Sequence, residues 1–182
     1  MVPGGSAAYL GPVESPHEVR PFDSEAPRDS AGVRVPPPLY YVVGYAVGWG
    51  LERWTGWSLF PESAAPSVWL APGIALLAVG VALGVSAVWV IRRAGSSIVP
   101  VRPTTALVTG GPFRVTRNPM YLGLAMCYAG IAVSFNALWP LLVLPFVVRV
   151  VRRRVIGREE RYLERTFGRV YRRYVERVPR WI

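Results

Sequence analysis

From Ser63 to Ile91 the chain runs for 29 residues without a charged side chain. About 20 apolar residues in a helix cross the hydrocarbon core of a bilayer, so this run predicts a membrane crossing. Val35 to Leu51, 17 uncharged residues, predicts a second. Tyr40, Tyr41, Trp49, Trp54 and Trp57 lie near its ends, where amphipathic rings favour the headgroup level. Asn118 to Val148 holds 31 uncharged residues, too many for one ordinary crossing and too few for two.

Arginine decides how that third run is threaded. All 21 basic residues are Arg, with 4 in residues 1–91 against 7 acids and 17 in residues 92–182 against 4 acids. Such asymmetry suits nucleic acid, an anionic membrane face or an anionic ligand; the uncharged runs select the membrane, and no nucleic-acid partner is expected. Arg92, Arg93, Arg102, Arg114 and Arg117 precede the run, and Arg149 and Arg152 to Arg154 follow it. A single crossing would leave one cluster outside, against the positive-inside tendency. Two short helices turning near Ser134-Phe135-Asn136 return both clusters to the cytoplasm with their long side chains snorkelling. The predicted architecture is therefore an all-α, polytopic membrane protein with about four transmembrane helices, the last two a short hairpin. Both termini are cytoplasmic in this reading, and the loop at 52–67 is external.

Residues 1–38 hold eight Pro and no apolar periodicity, the composition of a disordered tail; the membrane domain is 39–182. The tail lacks a basic start with an apolar core, so no cleavable signal is expected and the first membrane helix targets the chain. One Cys, Cys127, and one His, His17, predict neither a disulfide nor a metal site; Cys127 reads as packing. Gly44, Gly48 and Gly50 lie inside a membrane helix and read as points of close helix approach.

Chemistry has two candidate places. Residues 92–117 form a loop punctuated by Gly95, Pro100, Pro103, Gly110, Gly111 and Pro112. Its Gly110-Gly111 turn can bring bare N–H groups to a ligand, and Arg114 and Arg117 carry bidentate donors for a carboxylate or phosphate; lipid headgroups are the alternative partners. Asn118-Pro119 starts the next helix as N-cap and first-turn residue. Tyr121 then points at the interface, either as a belt residue or to stack on a planar ligand. The second place is Arg158 to Val178, an amphipathic helix with Leu163, Phe167, Val170, Tyr171 and Tyr174 on its apolar stripe. Glu159 and Glu160 interrupt its basic bias. One first-turn acid suits the helix dipole; two adjacent acids face different ways, which leaves one to receive a cationic group.

These residues, in this order, resemble the membrane methyltransferases that include the isoprenylcysteine carboxyl methyltransferases and phospholipid N-methyltransferases. The likeness runs from about Ala94 to Pro179: Ala94-Gly95-Ser96 with Pro100, then Leu107-Val108-Thr109, Gly111, Arg117, Pro119, Tyr121 and Gly123. After the hairpin come Glu159-Glu160, Leu163, Phe167-Gly168, Tyr171, Tyr174 and Val178-Pro179. The resemblance implies S-adenosylmethionine as methyl donor, bound between residues 94–123 and 149–179 at the cytosolic helix ends and covered by the C-terminal segment. It implies a donor site of Gly110, Gly111, Arg117, Pro119, Tyr121, Glu159, Glu160 and Tyr171, a catalytic set of Arg117, Asn118 and Glu159, and no metal. The acceptor is then a lipophilic molecule or lipid-modified substrate among the membrane lipids. Carboxyl methylation is the nearest analogy, with phospholipid N-methylation and thiol S-methylation as alternatives. A noncatalytic scaffold holding anionic lipid is the reading from another class. Two positions depart from the family pattern: Asn118 stands where the eukaryotic enzymes have a titratable His, and Val155 where prenylcysteine methyltransferases have an Arg.

Overall fold

A computed structural model describes residues 35–61, 63–95 and 107–182. The expectation of a disordered tail thus falls almost wholly outside the described residues, as do His17, Glu62, Ser96, Pro100, Arg102 and Pro103. The described chain is helical: α1 (Pro37–Thr55), α2 (Ser67–Arg93), a 3-10 turn (Gly111–Arg114), α3 (Pro119–Ser134), α4 (Leu138–Val151), a π segment (Arg152–Ile156) and α5 (Gly157–Arg177).

Helix α1 begins inside the expected tail, because Pro37 at the first helical position loses no hydrogen bond there, and it runs past Glu52 and Arg53. It stops at Gly56, whose left-handed φ of 68° lets its N–H reach back to the Glu52 carbonyl. Helix α2 is long and apolar enough to cross a membrane, and only 11% of its apolar window is buried by the rest of the protein. Such a helix belongs in an apolar solvent, since a core helix of a water-soluble domain would be covered. Helices α3 and α4 are shorter, about 24 and 21 Å at 1.5 Å per residue. The turn between them, at Phe135 to Ala137, lies where the Arg argument placed it.

Close approach between backbones decides the pairing. On α2, Gly73 and Gly80 lie seven residues apart and so on one face; on α3, Gly123 and Gly130 do the same. A Cβ on Gly73 would meet the Ser134 amide at 2.6 Å, and one on Gly123 would meet the Gly80 carbonyl oxygen at 2.7 Å. Small residues let membrane helices gain dispersion contact without a hydrophobic driving force. Cys127 packs in the same seam against Gly80, as expected for a structural thiol. In the α1–α4 pair, Gly44 sits under Val147 and Gly48 under Pro140. Gly50 meets nothing within 4 Å, which corrects its reading as a packing point.

The far end of the bundle is clasped by polar groups. Asn136, at φ 55°, has its side-chain oxygen on the Phe60 N–H at 2.7 Å and its amide on the Phe60 carbonyl at 3.0 Å. The Glu52 carboxylate accepts the Trp139 N–H at 2.8 Å, a negative charge at the start of α4 where the helix dipole favours one. The four helices run up and down, so the start of α1, the end of α2, the start of α3 and the end of α4 share the opposite end. Tyr41, Val90, Tyr121 and Val151 lie there.

Gly123→Leu should lower stability by about 1–3 kcal/mol through overpacking of the α2–α3 seam. Gly50→Ala, unobstructed in a helix interior, should raise it by about 0.5–1 kcal/mol. Thermal unfolding of the two variants in detergent checks the contrast.

Candidate active site

Helix α4 does not end the helical run at Val151. It passes through the π segment into α5 with helical backbone angles at both junctions. A π turn inserts one residue into the helical phase and is frequent at functional sites. Here Val151, Val155 and Ile156 are fully buried, and the next turn presents Glu159 and Glu160 to the starts of α1 and α3. Val155 thus forms part of the apolar floor, while Arg152, Arg153 and Arg154 are exposed.

The two acids diverge. The Tyr121 hydroxyl donates to Glu159 Oε1 at 2.7 Å, and the Tyr41 hydroxyl donates to the Tyr121 carbonyl at 3.1 Å. Tyr121 is 8% exposed and committed to the acid, so it is not a belt residue. Glu160 faces the other way, with Arg117 Nη1 at 3.1 Å from Oε1, Arg180 Nε donating to Oε1 at 2.9 Å, and Arg180 Nη2 on Oε2. Both acids therefore have partners from this chain, and the cationic group expected at one of them comes to Glu160 from Arg117 and Arg180.

Burial raises the Glu159 carboxyl to about 7; the Tyr121 hydrogen bond opposes the shift and the neighbouring Glu160 charge adds to it. Burial also raises the phenols of Tyr171 and of Tyr174, the latter to about 12. The hydrogen bond to Glu160 raises Arg180.

A strap, Val178–Ile182, closes this end. The Arg117 N–H donates to the Pro179 carbonyl at 3.0 Å, Thr116 Oγ1 to the Arg180 carbonyl at 2.9 Å, and Asn118 Nδ2 to the same carbonyl at 3.2 Å. Trp181 packs against the apolar cluster that contains Tyr121 and Ile156. Asn118 occupies the N-cap position of α3 without capping it; its side chain is spent on the strap, which corrects the simple capping account. Pro119 is the first residue of α3, as expected.

Helix α5 is bent, not the single amphipathic helix expected. Gly168 has φ 51° and ψ −121°, a conformation open to glycine and costly for other residues. The bend rephases the apolar stripe beyond it. Tyr162 and Tyr171 are buried, whereas Val170 is exposed. Tyr171 lies beside the Arg117 guanidinium, whose charge opposes the upward shift of its phenol, and the Tyr174 hydroxyl donates to the Phe113 carbonyl at 2.7 Å.

The structure brings together Arg117, Asn118, Pro119, Tyr121, Glu159, Glu160 and Tyr171. Gly111 instead packs against Val90 of α2, Gly110 precedes it at the edge of the 3-10 turn, and Arg114 is exposed. Sequence reasoning missed Tyr41, Thr116, Arg180 and Trp181. The available signal was Pro179, which stops α5 and frees Arg180-Trp181 to return. Arg117 Nε is buried without a hydrogen-bond partner among the described residues.

A sequence model of the family described as phospholipid methyltransferase matches residues 68–170. The match takes in Arg117, Tyr121, Glu159 and Glu160 and stops short of the strap. No curated protein and no solved structure matches the chain.

The Glu159 shift has a consequence for stability. Its folded pKa lies above the ordinary 4.5, so the folded state binds more protons between pH 4.5 and about 7 and loses stability as pH rises through that window. Glu159→Gln should remove this slope, matching wild type near pH 4.5 and exceeding it at pH 8 by on the order of 1–3 kcal/mol. Melting temperatures across that range check it.

Proposed function

The chain belongs to the phospholipid methyltransferase family, and we infer from that membership and the acid pair that it moves a methyl group from S-adenosylmethionine to a lipophilic acceptor reached from the bilayer. The observation that carries this reading is the convergence of Glu159 and Glu160 with Arg117 and Tyr121 at one end of an apolar bundle.

The residues present fit the donor. The unpartnered Arg117 Nε suits an α-carboxylate, and the two acids suit an ammonium and ribose hydroxyls. Tyr171 provides an aromatic wall beside Arg117. When bound, S-adenosylmethionine supplies an electrophilic methyl on a sulfonium. The protein's own work is alignment and exclusion of water: Tyr121 fixes Glu159, Arg117 fixes Glu160, and the strap covers both. Asn118 does not titrate near neutral pH and serves by holding the strap.

Carboxyl methylation is the nearest analogy by motif order. A headgroup amine is the second reading, and two observations favour it. Val155 stands, buried, at the position where prenylcysteine methyltransferases carry an Arg, so a carboxylate clamp is missing from that position. An ammonium must also shed a proton before its nitrogen can attack, and Glu159 at about 7 can take it. Labelling membranes with radioactive donor and identifying the labelled lipid by mass spectrometry separates the two. A noncatalytic scaffold would label nothing and would not saturate with S-adenosylhomocysteine.

In this reading all four helices cross, α3 and α4 as a short hairpin, and the site faces the cytoplasm. Cysteine introduced at Trp57 should react with an impermeant thiol reagent in intact cells, and cysteine at Arg173 should not. Labelling at Arg173 alone would reverse the orientation.

Arg117→Lys keeps the charge and loses the planar fork. It should insert normally yet weaken S-adenosylhomocysteine binding by roughly ten- to a hundredfold and lose most methyl transfer. Arg169→Lys, on the exposed face of α5, should remain active. Equal activity of the two would leave Arg117 as a membrane anchor.

A further inference from the structure

The strap is more than a cover. Its five residues are held by carbonyls at Pro179 and Arg180, by Trp181 against the core, and by Arg180 on both oxygens of Glu160. Beneath it Arg117 Nε is sealed from solvent without a partner, and Thr116 and Asn118 are buried. A polar ligand cannot reach that nitrogen while the strap is seated. The contacts all lie within one five-residue segment that follows the last turn of α5, so they can open as a unit.

We propose that Val178–Ile182 is the gate of the donor site, and that Arg180 holds it shut by occupying the Glu160 carboxylate which the donor's cationic end takes on binding. The inference rests on the donor-site reading above and adds an internal competitor to it. The guanidinium of Arg180 is a planar cation with two donors on one carboxylate, the arrangement a ligand ammonium must displace. Apparent affinity is then reduced by the fraction of molecules in which the gate is open. Arg117, on the other side of Glu160, stays in place and keeps the carboxylate aligned after Arg180 leaves.

The test is S-adenosylhomocysteine binding to the detergent-solubilised full chain, by titration and stopped-flow. Arg180→Gln removes the competitor, so affinity should tighten by roughly five- to thirtyfold, with most of the gain in the association rate. Arg180→Lys retains a cation and should stay near wild type. Trp181→Ala loosens the strap without touching Glu160 and should also speed association, which keeps the idea testable if Arg180→Gln folds poorly. A role for Arg180 in merely positioning Glu160 gives the opposite sign: weaker binding in Arg180→Gln. Weaker or unchanged binding in both Arg180→Gln and Trp181→Ala, with wild type saturating normally, would overturn the gate. Failure of wild type to saturate would overturn the donor-site reading itself, and the gate with it.

Discussion

Two neighbouring carboxylates on one turn of α5 join every part of the site. Through Tyr121, Glu159 reaches the first turn of α3 and, one hydrogen bond further, Tyr41 of α1. Through Arg117 and Arg180, Glu160 reaches the loop before α3 and the strap after α5. Consecutive residues on a helix point about 100° apart, so a single turn can hold two networks without merging them. One is a buried carboxyl raised to about 7 and hydrogen-bonded to a phenol; the other is an ion cluster. The first suits proton uptake and the second suits a zwitterionic ligand.

These charges are not what holds the protein together. Withdrawing an ion from water costs several kcal/mol even after relaxation, and pairing seldom returns much more than that. The bundle is stabilised elsewhere, by the glycine-lined seam of α2 and α3 and the Gly44–Val147 and Gly48–Pro140 contacts of α1 and α4. Apolar side chains such as Val42, Val79, Val85 and Phe146 remain exposed on the flanks, where hydrocarbon is the suitable solvent. The far end is fastened by Glu52 and Asn136. Rigid packing below and a polar, strap-covered end above divide the molecule into a scaffold and a place where parts can move.

Much of this was legible in the sequence because it depends on local rules. An uncharged run of 29 residues allows few conformations in an apolar medium other than a helix. The Arg clusters around Asn118 to Val148 favour a hairpin over a single crossing. The order Arg117, Pro119, Tyr121, Glu159, Glu160 marked the site, since a helix start and two acids against a basic bias are recognisable one residue at a time. What failed was phase. A periodic stripe from Leu163 to Tyr174 assumes one unbroken helix, and Gly168 resets the angle within it, so Val170 was placed inward; Tyr162, one residue before the stripe, went unnoticed. Gly50 failed for a related reason, because its spacing from Gly48 puts it on another face.

The sequence by itself determined the solvent, the helical class, the hairpin and the residues that meet at the cytosolic end in our reading, because hydropathy, charge bias and turn chemistry act over short distances. Only the tertiary structure decided which partner each acid takes. Pro179 marks locally where α5 stops, but that Arg180 is the arginine on Glu160 is decided by the chain returning across Thr116 to Asn118. Whether a carboxylate is open, paired with its own chain or raised toward neutrality depends on what is folded over it, and that is a property of three-dimensional burial.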